Sequence, residues 1–231
     1  MAISIKREIY VIAAINTLIY MALRLCPDTG PQILDNVALN CSPGSWTERP
    51  WTLFSYMWVH IDGIHLAANI VGLTLYGNIA LRYTHPAICA VIFLLGGVAG
   101  GSAAYSIGNE YMLIGSSAGV TALMGAVTVA RPRVTVMHIP LSSITAAIII
   151  TDIISATHIG YNALVSHISG FCAGIVAGAI VEWFRRREKS RKDNAMAWRT
   201  LTDSLQRLEQ SGFESLSAEQ QHRIINSTDI K

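Results

Sequence analysis

Gly115-Ser116-Ser117-Ala118-Gly119-Val120-Thr121-Ala122-Leu123-Met124-Gly125 is the stretch on which the reading of this chain turns. It sets two hydroxyls among small and apolar residues, in a run with no charged side chain from Tyr111 to Ala130. Such a run suits a helix buried in lipid. A lone serine there is commonly a packing residue that bonds back to its own helix. Two other apolar segments carry polar company, however: His65 with Asn69, and His167. Ionisable groups inside a membrane are candidates for function, and serine with histidine is a nucleophile with its base.

The 231 residues are 52% hydrophobic and 14% charged, against about 25% charged in an average soluble domain. Mean hydropathy is +0.41. The class implied is an all-α membrane protein. Six apolar segments have the length needed to cross the hydrocarbon: residues 9–25, 65–81, 86–107, 114–130, 140–156 and 161–184. With the N-terminus inside, eleven of the thirteen Lys and Arg in residues 1–192 fall on the inner side: Lys6, Arg7, Arg82, Arg131, Arg133 and the six in 185–192. Only Arg24 and Arg49 lie outside. This bias predicts cytoplasmic termini. The expected organisation is a six-span domain over 1–192 and a short cytoplasmic helical tail over 193–231.

Net charge is only +2. The basic run at 185–192 directly follows an apolar span, so it reads as a lipid-headgroup anchor and not as a nucleic-acid surface. The N-terminal segment has Arg24 and Leu25 where a lipoprotein cleavage box needs small residues, and it reads as a retained span. Cys26 and Cys41 share the outer loop, where an oxidising compartment would permit a disulfide that their spacing does not establish. Cys89 and Cys172 read as small apolar residues. No CxxC or HExxH metal pattern is present.

Span one holds Asn16, a helix–helix hydrogen bonder. The loop at 26–64 is long and carries Trp46, Trp51, Phe54, Tyr56 and Trp58, which predicts a partly helical, amphipathic element in the headgroup layer. His60 is expected at the interface. His65 and Asn69 are one helical turn apart and share a face. Span three, with Gly96, Gly97, Gly100 and Gly101, reads as a close-packing scaffold. Ser117 opens span four, where free backbone N–H groups and the positive end of the helix dipole favour a developing oxyanion. Gly115 to Gly119 also satisfies G-x-S-x-G, but that hydrolase elbow needs a strand before it in a soluble sheet. Asp152, near the outer end of span five, could orient a histidine, but it reads first as an interfacial carboxylate or helix contact. His167 lies under two turns into span six, at a depth matching Ser117. Gly170, Gly174 and Gly178 form a face that can pack on Ala118, Ala122 and Gly125. In the tail, Trp198, Leu201, Leu205 and Leu208 make a helical stripe ended at Ser211-Gly212. Ser217-Ala218-Glu219-Gln220 offers a capping-box start for a second helix, completing a short helical hairpin.

His65-x-x-x-Asn69, Gly115-Ser116-Ser117 and His167 followed by Gly170-x-x-x-Gly174 occur in this order on spans two, four and six. In this the chain resembles the rhomboid family of intramembrane serine proteases over about residues 5–190. The resemblance implies a Ser117–His167 dyad, with Ser117 the nucleophile and His167 the general base. It further implies an oxyanion site made by His65, Asn69 and the backbone N–H of Ser117. It implies no cofactor, and a multi-pass protein of the cell (inner) membrane with its active site towards the outer face. The implied partners are the lipid bilayer and single-span transmembrane substrates that enter past span five; no nucleic acid is expected, and oligomeric state is left open. Ala118 stands where the family usually has Gly, and Thr121 where an aromatic usually packs on the histidine. Arg49-Pro50-Trp51 only loosely matches the family's loop-one Trp-Arg pair. Ser116 is a rival nucleophile, disfavoured by the register of Ala122-Leu123-Met124-Gly125. Segment 210–217 is similar to a short C-terminal module of some bacterial rhomboids. The competing classes are a non-catalytic rhomboid-like binding or quality-control protein, and a small-solute transporter. The first typically lacks the Ser or the His; the second is disfavoured by the absence of internal repeats.

Overall fold

The structure is a computed structural model that describes residues 7–212 and 216–227. It is mostly helical. Helix α1 spans Arg7–Leu25. The long loop that follows contains α2 (Gly30–Val37), the two-residue strand β1 (Leu39–Asn40), α3 (Ser45–Glu48), α4 (Thr52–Ser55) and a 3₁₀ turn at Tyr56–Trp58. Helix α5 (Gly63–Gly72) runs on through a π-helical turn at Leu73–Gly77 into α6 (Asn78–Ala80). Then come α7 (Pro86–Tyr105), β2 (Met112–Leu113), α8 (Ser117–Ala130), the small hairpin β3 (Thr135–Val136) and β4 (Ile139–Pro140), and α9 (Leu141–Ile159). Helix α10 covers Tyr161–Ser211 and α11 covers Ala218–Ser227. Each apolar segment of the sequence therefore carries a helix. Helices α1, α7 and α10 contain stretches long and apolar enough to cross a membrane, while α8 and the apolar part of α9 are shorter.

Helix α8 is the centre of the bundle: every residue from Ala118 to Val127 is buried. Its neighbours reach it because they lack side chains at the contact. A Cβ added to Gly96 or Gly100 of α7 would lie 2.1 Å from Ala122 Cβ or 2.5 Å from Ala118 Cβ. On α10, a Cβ at Gly174 would stand 1.9 Å from the Ala122 carbonyl oxygen. Backbone-to-backbone contact of this kind is how helices associate where apolar burial gives no drive, as in lipid. On the outer surface, Leu18, Leu95, Ile154 and Val176 are all more than half exposed, so large apolar side chains cover much of the outside as well as filling the core.

The loop at 26–64 is more than a surface element. Leu39, Cys41, Tyr56 and Met57 are completely or almost completely buried, and Tyr56 Oη donates to the Gly97 carbonyl at 2.6 Å. Strand β1 pairs antiparallel with β2, Leu39 opposite Leu113. Arg49 and Trp51 both bond back to the end of α2, at Asp35 and Asn36. Cys26 is exposed and Cys41 buried, both as free thiols.

The chain divides into two compact units, Met1–Val181 and Glu182–Lys231. The division expected from composition and charge is at 192/193. Gly212, at φ +78°, follows the end of α10. The predicted capping box is formed: Ser217 N–H donates to Gln220 Oε1 at 3.0 Å, and Gln220 N–H donates to Ser217 Oγ at 3.3 Å. Of segment 210–217, residues 213–215 lie outside the described residues.

Candidate active site

The turn ahead of α8 is fixed from two sides. Gly115 has φ +109°, which only glycine adopts without strain, and a Cβ there would sit 2.5 Å from His65 Cε1. Its N–H donates to the Tyr56 carbonyl at 2.9 Å, so the long loop holds the backbone that presents the serines. Ser117 is the first residue of α8. The N–H groups at such a start have no partner within the helix, and with the dipole they favour negative charge.

His167 is carried to Ser117 by α10. A Cβ at Gly170 would meet the Ala118 carbonyl oxygen at 2.3 Å, and one at Gly178 would meet Ala126 Cα at 2.6 Å. With the backbones in contact, His167 Nε2 lies 2.7 Å from Ser117 Oγ. On the other side of the ring, His167 Nδ1 lies 3.0 Å from Asp152 Oδ2 of α9. A carboxylate only accepts, so Nδ1 carries the proton, Nε2 offers its lone pair and Ser117 Oγ–H donates to it. The side chains of His167 and Asp152 are 21% and 25% exposed, so solvent-sized groups reach the pair. Of the roles open to Asp152, the structure thus gives it a helix contact, from α9 to α10, and that contact is made to His167. It completes a Ser–His–Asp chain drawn from three helices.

Around this chain lie the remaining predicted residues. Asp62 caps α5, accepting from His65 N–H at 2.7 Å; that bond holds its carboxyl below the usual range. His65 lies with its ring against Gly115. Asn69 is buried and donates one amide hydrogen to the His65 carbonyl at 2.9 Å, leaving its second for another acceptor. His60 is the correction here: expected at the interface, it is 3% exposed and sits 3.5 Å from Ser116 Oγ. Its ring packs edge-on to His65, centroids 5.1 Å apart. Burial pushes its pKa down to about 4, helped by His65 and opposed by Asp62. Thr121 turns its hydroxyl to the Ala118 carbonyl, and so supplies no ring to pack on His167. Among the described residues, no group of three His, Cys, Asp or Glu side chains is arranged to hold a metal ion.

A sequence profile of the rhomboid domain matches residues 47–184, well over half of the chain and the whole of this constellation. The chain belongs to the rhomboid family. No curated protein matches it. Membership makes this a helical, membrane-embedded protein of a family whose usual members are intramembrane serine proteases and some of whose members are inactive. Within the rhomboid domain, two features escaped the sequence reading. One is the Ser116–His60 pair, for which no signal existed, because loop burial is a tertiary event. The other is the choice of His167 as the partner of Asp152, which the sequence offered only as one of several roles. Asp152 is the one Asp, Glu, Lys or Arg between Arg133 and Glu182, and a lone carboxylate in an apolar segment is itself a sign of a partnered role.

Proposed function

We propose that this rhomboid is an active intramembrane serine endopeptidase that cuts transmembrane segments of other membrane proteins. The observation that carries the reading is the 2.7 Å approach of Ser117 Oγ to His167 Nε2 within a bundle whose outer face is apolar. Ser117 Oγ attacks the scissile carbonyl carbon as its proton passes to His167 Nε2. The oxyanion is met by the Ser117 N–H, His65 and Asn69. When the intermediate collapses, the C–N bond breaks and His167 returns the proton to the leaving amine. A water, deprotonated by the same imidazole, then releases the acyl group and restores the serine.

Six spans, cytoplasmic termini and a site open to the outer face complete the proposal. Helix α8 supports it: its 14 residues rise about 21 Å, short of a hydrocarbon core of about 30 Å. A helix that short, entered through a loop, starts below the membrane surface and leaves space above Ser117 for water. Substrates are single-span proteins with small, helix-destabilising residues near the cut, admitted beside α9.

The test is purified protein with a transmembrane reporter, wild type beside Ser117→Ala and His167→Ala, and a serine-directed fluorophosphonate. Cleavage and labelling by wild type, both lost in Ser117→Ala, are expected. Wild type that neither cuts nor labels would leave a rhomboid-like binding protein instead.

A further inference from the structure

We infer that Asp152 is a positioning residue for His167, so that this rhomboid works with a triad. The inference rests on the protease reading above and deepens it. Asp152 stands on α9, Ser117 on α8 and His167 on α10, and the three side chains form one line: Oγ to Nε2 at 2.7 Å, Nδ1 to Oδ2 at 3.0 Å. No other carboxylate is available from the neighbouring sequence, since residues 134–181 contain no further Asp or Glu.

An imidazole in a site of this kind has two neutral tautomers. Only the one with its proton on Nδ1 presents a lone pair to Ser117. An acceptor at Nδ1 selects that form and fixes the ring plane. The same carboxylate stabilises the imidazolium formed when Nε2 takes the serine proton. The proton stays on His167 until the amine leaves; Asp152 gains none, and no bond to it forms or breaks. A side chain bound only as a helix tether would do neither of these things. The geometry favours positioning, because the bond is made to the reacting ring itself.

Thr121 sharpens the need. It lies one turn along α8 from Ser117 and gives its hydroxyl to the Ala118 carbonyl at 3.0 Å, so no aromatic face from that position restrains the imidazole. The restraint comes from the opposite side, through Asp152.

The full-length protein, purified with its lipids or in detergent, is compared as wild type, Asp152→Asn, Asp152→Ala and Asp152→Glu. Read out are kcat and KM on a transmembrane reporter, the rate of fluorophosphonate labelling at Ser117, and the thermal midpoint. Asp152→Asn is close in size, but its amide can donate to Nδ1 and select the wrong tautomer. We expect it to lower kcat and labelling by about 10- to 1000-fold, less than a fully buried triad carboxylate gives, with KM within about twofold. Asp152→Glu is expected to recover most of the loss. Asn and Ala variants with the kcat of an active wild type would overturn the inference while leaving the protease reading intact. So would losses that track the folded fraction in the Asn and Glu variants alike, which would make Asp152 a helix tether. A wild type without cleavage or labelling removes the protease reading itself, and this inference with it.

Discussion

Ser116 and Ser117 are neighbours in the chain and each faces a histidine, yet the two pairs are built in opposite ways. Ser117 meets His167 at 2.7 Å, the ring is partly exposed, and Asp152 accepts from its far nitrogen. Ser116 meets His60 at 3.5 Å, both are nearly sealed from solvent, and His60 Nδ1 has no protein partner among the described residues. A general base must hold a positive charge during the reaction. His167 has a carboxylate to share that charge with; His60 has burial and a second imidazole, both of which oppose it. The residue types at the two pairs are the same. In the proposed protease, what stands behind the ring separates a base from a packed side chain.

The largest effect should fall on the first pair. Ser117→Ala and His167→Ala are each expected to lower reporter cleavage by about 10³-fold or more, with folding retained, because members of such a unit act together. Equal loss in Ser116→Ala would erase the distinction drawn between the pairs. Next comes the helix contact that delivers His167. Gly174→Val puts a branched side chain where even one carbon would lie 1.9 Å from the Ala122 carbonyl oxygen. Overpacking of this kind costs about 1–3 kcal/mol or more, and separating α10 from α8 should remove activity along with stability. A thermal midpoint and cleavage rate equal to wild type would mean that the helices part without consequence.

The second pair should reveal itself in stability as pH falls. The pKa of His60 is depressed to about 4 from an ordinary 6.5. The unfolded chain therefore binds a proton that the folded one refuses between those values. The stability in question is fully present above about pH 6.5 and is lost as pH falls towards 4, by at most about 3 kcal/mol for this one group. His60→Gln should flatten that fall relative to wild type in thermal melts at pH 7 and pH 4.5. Identical pH slopes would contradict the buried, neutral His60. The smallest effect is assigned to Ser116→Ala: cleavage within about twofold of wild type and stability within about 1 kcal/mol, the usual worth of a single neutral hydrogen bond.

The composition and six apolar segments were readable along the chain because helix content in lipid depends on local length and polarity. The glycine spacing of α10 was readable for a related reason. Gly170, Gly174 and Gly178 fall on one helical face whatever lies opposite, and small faces seek each other. The capping box at Ser217 is a purely local device, and it forms as its sequence predicts. The buried part of the loop at 26–64 was not readable, since its aromatic residues suit a headgroup layer and an inner core equally well. His60 was misplaced, and the partner of Asp152 left open, for the same reason: a single polar residue carries no periodic signal that says which neighbour it meets.

By itself, then, the amino-acid order determined a helical membrane protein of the rhomboid type and singled out Ser117, His167, His65 and Asn69 as the residues to watch. Spacing and polarity along one chain suffice for that. Only the tertiary structure decided that Asp152 backs His167, that His60 is sealed behind Ser116, and that Tyr56 grips the turn at Gly115. Each joins residues from separate elements, across 15, 56 and 59 positions of sequence, where helix packing and not local propensity sets the distance.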